Sequence, residues 1–143
     1  MSIKKGILYH VGYTNKEWVE EISRVYEKNI DGYFPEDKYE GEIENGKPNG
    51  HGILTYTDEG TYVGEWKDGE KNGQGTFTYG RMKIRHGYVL EGQWKNGLLH
   101  GTEIIVTFPD GRKWKGEWIN GVSQNGQIIW MEKENEKYEL KLI

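Results

Sequence analysis

The sequence predicts an all-β fold: a single elongated, twisted antiparallel sheet of consecutive β-hairpins. Three observations carry that prediction. Glycine supplies 21 of 143 residues, about twice ordinary usage, while hydrophobic residues fall to 34% and aromatics reach 13%. The apolar material is thus concentrated in Trp and Tyr, which suits a thin sheet held by rings better than a thick aliphatic core. Asn-Gly or Asp-Gly pairs recur at 45–46, 49–50, 68–69, 72–73, 96–97, 110–111 and 120–121, and such pairs tolerate the positive φ that tight hairpin turns demand.

The third observation is an internal repeat. "YEGEIENGKPNGHGILTYTDEGT" (39–61) is followed by "YVGEWKDGEKNGQGTFTYG" (62–80), "LEGQWKNGLLHGTEIIVTFPDGRK" (90–113) and "WKGEWINGVSQNGQIIW" (114–130). The anchor glycines are Gly41, Gly64, Gly92 and Gly116, each followed at one fixed spacing by Gly46, Gly69, Gly97 or Gly121. In the first strand of each unit, Tyr39-Gly41-Ile43, Tyr62-Gly64-Trp66, Leu90-Gly92-Trp94 and Trp114-Gly116-Trp118 share a face by the two-residue period. The opposite face carries mostly Glu, Gln and Lys. A glycine between rings then has a packing reason: a ring from a neighbouring strand can lie over the bare backbone at Gly64 or Gly92.

Tyr-x-Gly-x-Trp-x-x-Gly-Lys-x-x-Gly-x-Gly is the pattern of the MORN repeat family, which this chain resembles over residues 39–130, in units starting at 39, 62, 90 and 114. The resemblance implies one elongated sheet with an aromatic groove on one face, spanning roughly 40 Å for four units at the usual strand spacing. It also implies a scaffold without catalytic activity of its own, associated with protein partners, dimerisation or membrane surfaces. The groove rings under that reading are Tyr39, Tyr62, Trp66, Trp94, Trp114 and Trp118. The departures are Ile43 for Trp, Leu90 for Tyr, and Glu103 and Ile128 where Gly52 and Gly75 stand in the first two units.

Both ends read as caps for the sheet, since exposed edges invite aggregation. In the N-terminal cap, 1–38, a strand is expected over 6–11. A helix is expected over 15–29, where Trp18, Ile22, Val25 and Tyr26 form a stripe and Thr14 with Glu17 has capping-box spacing. The rival is a hairpin of "GILYHV" with "EWVEEI". After the repeat sheet, 39–131, the segment 132–143 alternates Tyr138, Leu140 and Leu142 and reads as a closing strand.

Catalytic and metal chemistry find little support. "GEIENGKP" (41–48) approaches a phosphate-binding loop, but Pro48 replaces the magnesium-binding hydroxyl and a strand, not a helix, follows. The four histidines lack metal spacing, and His100 occupies the turn position held by Asn49, Asn72 and Asn125. Glu103, as the one acid in place of a groove-side glycine, is the sole candidate general acid. No enzyme, metal or cofactor is expected. With no cysteine there is no disulfide framework, and no secretory leader or long apolar segment is recognised, so a cytoplasmic location is the default expectation.

The net charge of −4 argues against nucleic acid as a ligand. The insertion "GRMKIRHGYV" (80–89) alternates Arg81, Lys83 and Arg85 with Met82 and Ile84, followed by His86, an arrangement suited to anionic lipid headgroups. Lys95, Arg112 and Lys113 are further cations that could assist. The leading expectation remains a protein partner, including a second copy of the chain. Peripheral membrane binding through 81–86 is the first alternative, and carbohydrate binding on exposed rings the second.

Overall fold

The computed structural model describes residues 4–11, 17–20, 37–56, 60–80, 87–132 and 137–142. Strand β1 covers Lys4–Val11, β2 Glu17–Val19, β3 Asp37–Glu44, β4 Lys47–Thr55, β5 Gly60–Lys67 and β6 Glu70–Tyr79. Strand β7 covers Val89–Lys95, β8 Leu98–Leu99, β9 Gly101–Thr107, β10 Lys113–Ile119, β11 Val122–Glu132 and β12 Lys137–Leu142. All belong to one open antiparallel sheet in the order β12-β11-β10-β9-β7-β6-β5-β4-β3-β1-β2, with β8 paired to β7. The fold is all-β, as the repeat pattern predicts, and the described residues contain no helix.

Four hairpins close through the same turn. Asn45-Gly46, Asp68-Gly69, Asn96-Gly97 and Asn120-Gly121 have φ of 52° and 74°, 49° and 85°, 51° and 82°, and 47° and 81°. Positive φ at both central residues is the type I′ geometry whose twist matches that of the flanking strands. The pairs at 49–50 and 72–73 are not turns: they lie inside β4 and β6, Gly50 beneath the side chain of Glu42 and Gly73 beneath that of Glu65.

Gly6, Gly41, Gly52, Gly64, Gly75 and Gly92 stand in register across β1 and β3–β7. The middle four of this row, Gly41, Gly52, Gly64 and Gly75, lie beneath the tyrosine hydroxyl ends. A Cβ at Gly52 would overlap the Tyr39 ring, and one at Gly75 the Tyr62 ring. The ring therefore comes from the same hairpin's own first strand, not from a neighbouring unit, and at Gly92 no ring is involved. There Ile104 Cδ1 would lie 2.5 Å from an added Cβ.

The third unit thus solves the same space differently. Its ladder pairs Glu91 with Ile105, so Ile104 and not Glu103 faces Gly92. The strand breaks at His100, between β8 and β9, and accommodates one extra residue there. Leu90 is too short to cover Gly92, and the buried Ile104 side chain fills the gap. In the fourth unit Gly126, not Ile128, faces Gly116, while Ile128 pairs with Trp114.

The expected helix over 15–29 is corrected where it can be seen. Glu17–Val19 is a strand paired to β1, with Trp18 opposite His10, and the remainder of that segment lies outside the described residues. Strand pairing wins because it brings Trp18 onto the ring-bearing face of the sheet. The core is one layer of side chains on that face: Leu8, Tyr39, Ile43, Leu54, Tyr62, Trp66, Phe77, Trp94, Leu99 and Ile104. On the opposite face Ile53 and Val63 pair across β4 and β5, 38% and 40% exposed.

Candidate functional site

The aromatic groove is built from the hairpin outward. Tyr39 and Tyr62 are fully buried, and their hydroxyls donate to the carbonyls of Glu42 (2.6 Å) and Glu65 (2.9 Å). Those carbonyls sit where the ladder slips: β4 runs from Gly52 to Pro48 while β3 runs only from Gly41 to Ile43, and β6 and β5 repeat the slip. The slip frees an N–H on the longer strand, which the side chain of the same glutamate caps: His51 N–H to Glu42 Oε1 at 2.9 Å and Gln74 N–H to Glu65 Oε2 at 2.6 Å. These two glutamates, which the two-residue period sets on the face opposite the rings, are structural acceptors. Burial, reinforced by the adjacent Glu42 or Glu65, holds the acidity of each tyrosine well below that of an ordinary phenol.

Tryptophans join the units. Trp66 Nε1–H donates to the Gly52 carbonyl at 3.2 Å and Trp94 Nε1–H to the Gly75 carbonyl at 3.1 Å, in each case reaching back to the preceding unit. At the next junction the ladder slips between Gly116 and Trp118, and Trp118 Nε1 is buried without an acceptor. Turn contacts reinforce these joints. Gly69, Gly97 and Gly121 N–H donate to the carbonyls of Pro48, Lys71 and Leu99 at 2.9, 2.9 and 2.8 Å. His100 Nδ1 accepts from Asn120 N–H at 3.2 Å as Asn49 Oδ1 does from Asp68 N–H, so the histidine does the work of an asparagine.

The rings form an edge-to-face file. Centroids are 5.3 Å apart for Tyr39 and Trp66, 5.2 Å for Trp66 and Tyr62, and 5.3 Å for Tyr62 and Trp94. Each such contact contributes about 0.5–1.5 kcal/mol beyond area burial. Trp18 closes the file at the β2 end, 6.0 Å from Tyr39 and 6.1 Å from Trp66, with His10 stacked on it at 4.0 Å. Sequence reasoning missed that role because a three-residue strand carries almost no periodicity.

Along this file the groove fills itself, but further on it opens. A cleft of about 540 Å³ is lined chiefly by Tyr56, Phe77, Tyr79, Tyr88, Leu90 and Trp94, with Val106 and Trp118 on its far wall. Of the expected groove rings, Tyr39, Tyr62, Trp66 and Trp94 belong to the file. Trp114 and Trp118 form a separate edge-to-face pair at 6.2 Å, and Trp118 reaches the cleft.

Among the described residues one charged group enters this surface. Lys71 Nζ donates to Tyr56 Oη at 2.7 Å and lies 5.2, 5.6, 5.5 and 5.1 Å from the ring centroids of Tyr56, Tyr62, Phe77 and Trp94. The lysine faces Trp66 across the hairpin, where the other units place Pro48, Leu99 and Ser123. Nothing in the repeat pattern announces it.

The remaining candidates are dispersed. Arg81, Lys83, Arg85 and His86 lie outside the described residues. Arg112 Nε is bound to Asp110 Oδ2 at 2.7 Å, with its guanidinium over Phe108, and its donors hold the Asp110 carboxyl below the usual carboxylate range. Glu103 is exposed and ion-paired with Lys115 at 3.4 Å, away from the apolar setting a general acid requires. Among the described residues no cluster of His, Asp and Glu is placed to hold a metal ion.

A single sheet of equivalent hairpins, tied joint to joint by turn and indole hydrogen bonds, defines a repeat protein of nearest-neighbour construction. A family model described as MORN repeat matches residues 39–61, 62–80 and 91–102, and those three segments are MORN repeats. Residues 114–130 lie outside those matches yet form a hairpin with the same turn. MORN repeats are generally interaction or scaffold modules and are non-enzymatic. No curated protein matches the chain.

Proposed function

We propose that the protein is an interaction module that binds a segment of a partner protein in the cleft between Phe77 and Trp118. The observation that carries this reading is the change in the groove along its length. From Trp18 to Trp94 the rings cover one another, whereas beyond Trp94 an apolar cleft of about 540 Å³ is left between the second and fourth units. Large aromatic surfaces in a preformed concavity are the usual anchors of protein recognition.

Site-specific photo-crosslinking tests it. A benzophenone amino acid in place of Tyr79 or Tyr88, both half-buried on the cleft wall, is expected to label the same partner in cell extract. The same group at Val63, on the opposite face, is expected not to. Labelling from Val63 alone, or equally from all three positions, would refute the cleft as the binding surface.

A further inference from the structure

We infer that the walls around Lys71 form a cation-binding cage which the protein's own lysine occupies, and that the cleft recognises a ligand carrying an alkylammonium group able to take its place. A cation within about 6 Å of an aromatic centroid is attracted by the ring quadrupole, and the attraction grows as water is excluded. Here four rings surround one ammonium at 5.1–5.6 Å. They come from four successive strands or strand ends: Tyr56 after β4, Tyr62 on β5, Phe77 on β6 and Trp94 on β7. The ammonium is the stand-in that shows what the cage accepts.

Two features point to exchange and not to a purely structural lysine. First, the fold does not need a charge at this position, because the equivalent places hold the buried Pro48 and Leu99. Second, Lys71, Tyr56, Phe77 and Trp94 also line the cleft, so the cage opens onto the space through which a second cation would arrive. Lysine has a flexible four-carbon stem, and swinging it outward vacates the cage without moving a strand. Leaving gives up its hydrogen bond to Tyr56 Oη and the four ring contacts, and an incoming ammonium restores the ring contacts. A methylated or quaternary ammonium, which has a lower hydration cost than a primary one, is the favoured competitor.

This inference rests on the cleft being a binding surface, and its test is separable from that reading. The full chain is titrated with tetramethylammonium and with choline, against 3,3-dimethylbutanol as the uncharged analogue of choline, while the Trp94 indole N–H resonance is followed. Wild type is expected to bind the two cations weakly. Lys71→Ala, which empties the cage, is expected to bind them at least about tenfold more tightly, with no comparable gain for the alcohol. Lys71→Leu, which copies the third unit, refills the cage with an apolar group and should lose cation binding.

Tyr56→Phe keeps the ring but removes the hydroxyl that accepts from Nζ and so weakens the hold on the lysine. It should strengthen cation binding too, and it decides the matter if Lys71→Ala does not fold. Equal affinities for wild type and the variants that free the cage, or equal binding of cation and alcohol, would overturn the cage. If Tyr79 and Tyr88 crosslink to a partner while no variant binds an ammonium ion, the cage falls and the groove stands.

Discussion

Tyr39 and Tyr62 show how much one hydroxyl can organise. Each ring covers a glycine of its own hairpin while its O–H closes on the carbonyl at the ladder slip, so a single side chain supplies both the core and the turn of the strand. Burial first, and the neighbouring glutamate second, push both phenols upward from an unfolded value of 10.0. The protonated form is therefore favoured by folding, and its contribution is complete below pH 10.0 and is lost as pH rises beyond that value. Urea midpoints should fall steeply from about pH 10 upward. Tyr62→Phe is expected to cost about 1 kcal/mol at neutral pH, through the bond to Glu65, and to flatten that alkaline fall. An unchanged alkaline slope in the variant would show that the buried phenol is not its source.

At the scale of the element, the third hairpin replaces a Tyr-over-Gly pair by Leu90 and Ile104, and the two substitutions belong together. Leu90→Tyr alone drives a ring against Ile104 and should destabilise by about 1–3 kcal/mol. Ile104→Gly alone empties a buried site and should cost about 2–5 kcal/mol. The double variant restores the arrangement of the first two units, so the pair should couple favourably by about 1–3 kcal/mol in a urea-unfolding cycle. Strict additivity would mean that Leu90 and Ile104 do not share the space over Gly92. This pairing marks where the sequence stopped being legible. The Asn-Gly turns were readable because positive φ is a local demand, and the ring-glycine alternation because the strand period is local too. The exchange of Ile104 for Glu103 was not, since one extra residue at His100 resets the register and only packing across strands chooses its place. The Lys71 cage stayed hidden for the same reason, its walls being spread from Tyr56 to Trp94.

Across the whole molecule, stability should be graded, because each unit touches only its neighbours. Trp18 terminates the ring file at one end. Trp18→Ala is expected to cost about 2 kcal/mol, less than a fully buried tryptophan because the side chain is only partly buried. The loss should appear as faster amide hydrogen exchange in β1–β5 with little change in β9 and β10. A uniform rise over the sheet would mean that the protein unfolds as one unit and that the nearest-neighbour description fails.

The order of strands also decides how the molecule bears a pull. Backbone hydrogen bonds in an antiparallel pair run perpendicular to the strands, hence along the row from β2 to β12. Tension between those two ends loads the ladders in series, so every ladder carries the full force and the chain parts wherever one is weakest. Two ladders in that series are short: β1 with β2 pairs only over Tyr9–Val11, and β7 with β9 only over Val89–Glu91 before the interruption at His100, with the two-residue β8 beside it. A partner tugging lengthwise meets links that open before their neighbours do.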